Sequence, residues 1–339
     1  GLKVAAICSR STERARALAE EHGITHGFSS VEELVSCEDV DIVSCVGPTH
    51  TRAEQTIAAL KHGKHVLVDK PMALSAEEAS KMLAAARCAG KHAWMDFELR
   101  CVPAIVEARA IIASGALGEP LHISCRCLGN FGFLQGSHSH WVQRDCGGGV
   151  FSAVGTHFTD LCQHLTGLTV MRVSAIQRPL VETLPNADGV AQPVTADGLT
   201  CATYELHPKA GLHPIIANLY ISGLSPGLPF ENTMTITCEQ GVLSFDFLKS
   251  QLTVFSVNGS ERQIGGGGNA WSEVGTPALG RAIVAVLTGK ASPAEPGGVA
   301  LTDLATLEDG VRVQRITDAV HMSALHSGKW INVDCASEC

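Results

Sequence analysis

His65-Val66-Leu67-Val68-Asp69-Lys70-Pro71 is a short apolar run that ends in an acid, a lysine and a proline. Its length and β-branched content predict a buried strand of a parallel sheet, and in open α/β sheets ligands bind beyond the carboxyl ends of such strands. Lys70 therefore falls at the mouth of the sheet. Pro71 disfavours the helical conformation at Lys70, so the ammonium is expected to be held outward in a turn.

The residues on either side place this strand in a repeating pattern. Leu2 to Cys8 predicts a strand and Thr12 to His22 a helix stopped by Gly23. Asp41 to Val46 reads as another buried strand, which turns through Gly47-Pro48-Thr49-His50 into a helix from Thr51 to His62. After Pro71, Ser75 and Glu78 form a capping box for a helix over Ala76 to Ala89, and Lys91 to Met95 begins a further strand. Strand and helix alternating at this spacing predict an α/β fold with a doubly wound parallel sheet of the Rossmann type. Such a dinucleotide-binding sheet opens with a strand and a G-x-G-x-x-G turn whose amides hold a pyrophosphate. No such turn precedes Leu2, so the chain reads as if it starts at the second strand: either the first strand and glycine turn belong to a segment upstream of Gly1 or the protein lacks that phosphate cradle.

The end of that second strand is where the adenosine ribose is read, and a carboxylate there would repel a 2′-phosphate. Ser9, Arg10 and Ser11 instead offer a guanidinium and two hydroxyls, which points to NADP, with NAD as the other possibility. The strand exits at Val46, Gly47, Pro48 and His50, and at Asp69, Lys70 and Pro71, are expected to contribute the remaining cofactor contacts.

From about Leu99 the pattern changes. A helix near Pro103 to Ser114 leads into Leu121 to Leu128, and the segments Thr200–Leu206, Pro214–Ile221, Met234–Cys238, Val242–Phe247 and Leu252–Val257 alternate as strands of a mainly antiparallel sheet. Helices are expected at Thr276 to Leu287 and Leu301 to Leu325, with a last strand at Lys329 to Val333. Gly265 to Gly268 reads as a flexible loop. Residues 1–99 are thus expected to form a dinucleotide-binding domain and 100–339 an α+β domain. Apolar residues on the outer face of its sheet would support a homodimer or homotetramer.

A chain of 339 residues with 45% apolar and 17% charged residues can bury a large core. Its net charge of −9 and the absence of Lys/Arg runs argue against nucleic acid or an anionic membrane surface as partner. No stretch approaches the roughly twenty apolar residues of a membrane span. Thirteen scattered cysteines without a CxxC pair suit a reducing, cytoplasmic compartment, and no metal site is expected because ligand spacings do not recur. Cys125 and Cys127 would share a strand face; Cys335 and Cys339 lie in a polar tail.

A second group of residues runs from Trp141 through Arg144 and Gly147-Gly148-Gly149 into a helix over Val150 to Leu165. Apolar Val150, Phe151, Val154, Phe158, Leu161 and Leu165 mark its core face, while Ala153, His157, Asp160 and His164 fall on a second face. The glycines would let the backbone approach a ligand closely, and His157 is a candidate for proton transfer near neutral pH.

With the Gly-Lys-His-Val-Leu-Val-Asp-Lys-Pro71 stretch, Gly115-Ala-Leu-Gly-Glu-Pro120, Gly155-Thr-His157-Phe-Thr-Asp160 and Leu307-Glu-Asp-Gly310, the chain resembles the Gfo/Idh/MocA family of nicotinamide oxidoreductases. Within it, Leu99-Arg100, the Trp141 segment and Ser152-Ala-Val-Gly-Thr156 resemble the glucose-fructose oxidoreductase domain-containing branch. The resemblance implies hydride transfer between nicotinamide and a sugar, polyol or related carbonyl. Lys70 would lie by the nicotinamide and the substrate hydroxyl, His157 would move the proton, and Arg100, Trp141, Arg144 and Asp160 would shape the substrate pocket. The family's Asp-x-Gly-x-His matches Ala153-Val154-Gly155-Thr156-His157, which leaves the histidine without its usual acid. That departure carries the alternative of a catalytically weak or inactive nucleotide-binding or interaction protein.

Overall fold

The computed structural model describes residues 1–207, 213–289 and 304–333. The N-terminal part alternates β1 (Ala6–Cys8), α1 (Thr12–Glu21), β2 (His26–Phe28), α2 (Val31–Ser36), β3 (Ile42–Cys45), α3 (Thr49–Lys61), β4 (His65–Val68), α4 (Ala76–Ala89) and β5 (Ala93–Met95). β1 pairs in parallel with β2, and β3, β4 and β5 form a separate parallel sheet in that order. β1 is shorter than its apolar sequence suggests, because Leu2 and Val4 are exposed. Ser11, Ser30 and Ser75 cap α1, α2 and α4 by accepting from the third residue onward, which satisfies helix-start amides that would otherwise lack partners. At α4 the box is not reciprocal: the Glu78 carboxylate accepts from Leu74 N at 3.0 Å.

The register of the three-stranded sheet matters most. Cys45 pairs with Val68 and Val68 with Met95, so the three strands end level. The residues just beyond them, Val46-Gly47-Pro48, Asp69-Lys70-Pro71 and Asp96-Phe97-Glu98, therefore share one rim.

After a 3-10 turn at Glu98–Cys101 come α5 (Pro103–Ala113), β6 (Pro120–Leu128), α6 (Thr156–Thr166), β7 (Thr169–Arg178), the hairpin β8 (Thr183–Pro185) and β9 (Ala191–Pro193), β10 (Leu199–His207), β11 (Ile215–Ser222), β12 (Glu231–Cys238), β13 (Gly241–Asp246), β14 (Gln251–Ser256), β15 (Glu261–Gly265), α7 (Thr276–Thr288), α8 (Leu307–Leu325) and β16 (Ile331–Asn332). Nine strands make one sheet, β15-β14-β13-β12-β6-β11-β10-β7-β16, in which only β6 and β11 run parallel. The alternating apolar residues point inward: Ala202, Tyr204 and Leu206, Ala217 and Leu219, and Met234 and Ile236 pack with Ile105, Phe158, Leu161, Ile316 and Val320 of the covering helices. The outer face thus carries Thr203, Asn218, Thr233 and Thr235, with Ile176, Ile216, Tyr220 and Phe255 among its exposed apolar residues. This corrects the expectation of an outer face built from the alternating apolar positions: one face of the sheet lies against helices, and the period of two directs those residues to it.

A second core joins Val43, Leu60, Val66, Val68, Met82 and Met95 to Leu307, Val311 and Val313, so α8 packs into the N-terminal core as well as along β7. Thr306 and Asp309 close a reciprocal capping box at its start. Gly265 to Gly268 all have positive φ, a backbone that glycine adopts at low cost, and they carry the chain from edge strand β15 into a wide π-type turn (Ala270–Gly275) and α7. The connection is strand to helix and leaves the edge of the antiparallel sheet, and the turn it leads into packs against Glu98 and His157. The part of the expected Leu301–Leu325 helix before residue 304, and Cys335 and Cys339, lie outside the described residues. Cys125 and Cys127 share the buried face of β6. No helix among the described residues is long and apolar enough to cross a membrane.

Candidate active site

The rim is tied together by a residue that sequence pattern alone does not single out. Arg52, buried on α3, donates from Nη2 to the Gly47 carbonyl at 2.7 Å and to Asp69 Oδ2 at 3.3 Å, and from Nη1 to the Pro71 carbonyl. One planar guanidinium thus links the exits of β3 and β4, a role that its fixed fork of donors suits. Burial lowers its pKa and Asp69 opposes that most strongly; an arginine stays charged under such a shift. Asp69 also accepts from the Lys70 amide at 2.7 Å, and the Lys70–Pro71 peptide is cis. The Lys70 ammonium reaches across to the Ala153 carbonyl, Nζ to O 2.7 Å.

Ala153 lies in a wide π-type turn, Phe151–Gly155, that runs directly into α6. Insertions of this kind loosen the backbone ladder and recur at functional sites. The turn is anchored by another residue that carries no sequence signal: buried Asp197 accepts from Phe151 N at 3.0 Å and from Thr200 Oγ1 at 2.6 Å. Burial pushes its carboxyl up to about 6, against those hydrogen bonds. The three glycines before the turn approach the protein's own atoms. A Cβ at Gly147 would lie 2.8 Å from Thr49 Cβ, one at Gly148 2.4 Å from the Trp141 carbonyl, and one at Gly149 1.9 Å from Asp197 Oδ1.

His157, the second residue of α6, is 2% exposed, with Phe97 and Trp271 edge-on to its ring at 6.1 and 6.2 Å. Burial, and next the Lys70 ammonium, hold its pKa well below the ordinary imidazole value, so the ring is neutral at pH 7. Its Nδ1 has no hydrogen-bond partner and lies 3.9 Å from Glu98 Oε2. Glu98 is itself 7% exposed; burial first, and then the Asp96 carboxylate, push it up to about 8. Asp96 is raised to about 6 by burial and by Asp69. Lys70, Asp69, Asp96, Glu98 and His157 therefore form one titratable cluster, with Glu98 and His157 buried and the other three half-buried; Lys70, Asp69 and His157 were expected from the sequence.

The other expected site residues lie outside that titratable cluster. Arg100 and Asp160 face each other: Arg100 Nε donates to Asp160 Oδ2 at 2.7 Å, while Arg100 Nη1 reaches Asp309 Oδ2 at 3.3 Å. Both are almost fully buried, so they join the turn after β5 to α6 and the start of α8. Trp141 stacks on Phe133 at 5.6 Å and remains partly exposed, and the exposed Arg144 uses its backbone amide to donate to Thr195 Oγ1. Val46 is exposed at the end of β3. His140, lowered by burial and next by His50, Arg52 and Arg10, marks a side of the rim where several cationic side chains gather. Arg10 is exposed, Ser9 donates its amide to the Phe28 carbonyl, and the Ser11 hydroxyl is engaged as the α1 cap.

Comparison with known proteins places this geometry. Residues 1–97 match the model of an oxidoreductase family with an NAD-binding Rossmann fold, and residues 105–244 match the GFO/IDH/MocA C-terminal domain. The chain belongs to the Gfo/Idh/MocA oxidoreductase family. Relatives include mouse glucose-fructose oxidoreductase domain-containing protein 2, 25% identical over 100% of this chain and 89% of that protein. The 1,5-anhydro-D-fructose reductase of Ensifer adhaerens is 42% identical, but over only 36% of this chain and 36% of its own length. An oxidoreductase domain protein from Kribbella flavida has the same fold, with a TM-score of 0.83 at 24% identity over 98% of this chain and 90% of that one. So does levoglucosan dehydrogenase in complex with NADH and L-sorbose, with a TM-score of 0.81 at 21% identity over 97% and 90% of the two chains. Sugar dehydrogenases and reductases are thus among the Gfo/Idh/MocA neighbours of this chain.

Proposed function

We propose that this protein transfers a hydride between a nicotinamide cofactor and a sugar, polyol or related carbonyl compound, with Lys70 and His157 as its catalytic residues. The observation that carries the reading is the 2.7 Å bond from Lys70 Nζ to the Ala153 carbonyl, one helical turn before buried His157. It ties the exit of a parallel strand to the turn that leads into the helix carrying the imidazole.

The rim residues fit a dinucleotide. Exposed Val46 gives an apolar face at the end of β3 for a planar ring, Gly47, Pro48 and His50 line the turn beside it, and Asp69, Lys70 and Pro71 border the reacting end. Ser9, Arg10 and Ser11 would meet the adenosine ribose; exposed Arg10 favours the 2′-phosphate of NADP over NAD. When bound, the nicotinamide supplies or accepts the hydride. Lys70 holds the substrate oxygen by charge, and His157, kept neutral, moves the proton of that oxygen. Trp141 and Arg144 border the substrate side, whereas Arg100 and Asp160 position α6. The reading as a nucleotide-binding or interaction protein draws on Ala153, which offers no carboxylate; Glu98 places a carboxyl at the same imidazole. The outer sheet face, with Ile176, Ile216 and Tyr220, is the surface through which we expect a homodimer or homotetramer.

The test is a tryptophan-fluorescence titration of the full-length protein with NADPH and with NADH, then NAD(P)H oxidation on a panel of ketoses, keto-polyols and anhydro-sugars. Saturable binding, tighter for NADPH, and turnover of at least one carbonyl are expected. No binding of either nucleotide would overturn the reading.

A further inference from the structure

We propose that Glu98 replaces the acid that position 153 lacks, passing a proton to His157 Nδ1 while His157 Nε2 delivers one to the substrate oxygen. The proposal rests on the oxidoreductase function proposed above. Glu98 acts through the imidazole and is a positioning and proton-holding residue.

Glu98 and His157 are both nearly inaccessible, Oε2 lies 3.9 Å from Nδ1, and that nitrogen has no other partner. Hydrogen bonds at catalytic centres are often long before substrate is bound and tighten in the complex. The groups facing Glu98 are Asp96 from its own segment, Asp69 and Lys70 from the exit of β4, and His157 from α6; Arg52 on α3 acts on it through Asp69 and Asp96. Phe97 and Trp271 wall the imidazole from the sides.

Two charge states then decide the chemistry. A buried imidazole beside an ammonium does not store a proton at neutral pH, so imidazolium is not the acid. Glu98, pushed up to about 8, is the group that carries one. In the reducing direction the carbonyl carbon gains a hydride from the reduced nicotinamide, and its oxygen takes the proton from Nε2–H. Nδ1 simultaneously takes the proton of the Glu98 carboxyl. The carbonyl is reduced to an alcohol, the nicotinamide is oxidised, the imidazole stays neutral with its N–H moved from Nε2 to Nδ1, and Glu98 is left as a carboxylate near Lys70. In the oxidising direction each transfer reverses.

The experiment combines kinetics and infrared spectroscopy on the wild type, Glu98→Gln and Glu98→Asp. Glu98→Gln is expected to lower kcat for carbonyl reduction about a hundredfold or more, within the ~10²–10⁴ span of general acid catalysis, with KM changed by less than about twofold. The wild type is expected to lose kcat as pH rises through about 8, and Glu98→Gln to lack that fall. Glu98→Asp recovers part of kcat. Independently of turnover, a difference spectrum of the wild type between about pH 6 and about pH 10 loses a protonated-carboxyl band that Glu98→Gln lacks. A Glu98→Gln protein with unchanged kcat and the same alkaline fall, or with the same infrared difference as the wild type, overturns the proposal and leaves the oxidoreductase reading standing. A wild type that reduces no carbonyl overturns that reading, and the relay with it.

Discussion

Asp160→Asn removes one charge from a buried pair while keeping its shape, and the geometry of the pair sets the cost. Arg100 is 5% exposed and Asp160 2% exposed; two of the guanidinium's charge-assisted bonds end on Asp160, and the third, at 3.3 Å, ends on Asp309. Breaking a buried pair by losing one partner costs about 3–5 kcal/mol, because the remaining charge stays desolvated. Asp309 retains part of the compensation, which places the expected loss near the lower end, about 3 kcal/mol, or roughly a hundredfold in the folding equilibrium. Urea unfolding monitored by far-ultraviolet circular dichroism measures it as a drop in midpoint. Arg100→Met with Asp160→Leu removes both charges and is expected to recover stability to within about 1 kcal/mol of the wild type. If Asp160→Asn left the unfolding free energy unchanged within about 1 kcal/mol and raised KM instead, the pair would be a substrate contact and the reasoning from burial would be wrong.

Gly149→Ala forces a Cβ to 1.9 Å from Asp197 Oδ1 at a φ of +109°, so a loss of about 3 kcal/mol or more, read as a lowered melting temperature, is expected. Because folded Glu98 titrates near 8 against an ordinary 4.5, its protonated form is favoured by folding. Stability is therefore fully present below about 4.5 and is lost as pH rises through about 8, and Glu98→Gln should flatten that slope in urea midpoints measured across the window. Arg10→Ala should weaken NADPH binding about tenfold or more and leave NADH binding within about twofold, as fluorescence titration of both cofactors would show.

The alternation of short apolar runs with helices made the parallel sheet readable from residues 41 to 95, since Val43, Cys45, Val66 and Val68 are buried strand positions and Ser75 signals the start of α4. β7 was not recognised: Thr169-Val-Met-Arg-Val-Ser-Ala-Ile-Gln-Arg178 alternates less cleanly, with charged and apolar side chains together on the outer face. Lys70 and His157 stood out as candidates because the parallel alternation puts Lys70 at a strand exit and because both match motifs of the family the chain resembles. Arg52, Asp96, Glu98 and Asp197 were not, because their roles come from register and burial. Level strand ends bring Asp96 and Glu98 beside Lys70, and a single arginine in a helix gives no sign that it will bridge two loops. Likewise, Arg100 and Asp160 are 60 residues apart in sequence, and only the packing of α6 on the turn after β5 makes them partners.

Lys70 at the reacting centre is the claim on which the proposed chemistry depends. Steady-state reduction of an active carbonyl substrate by wild type and Lys70→Ala, with folding matched by circular dichroism, tests it most directly. A fall in kcat/KM of about a hundredfold or more, with nucleotide binding retained, is the predicted result. A Lys70→Ala protein that turns over the same substrate at the wild-type rate would contradict it.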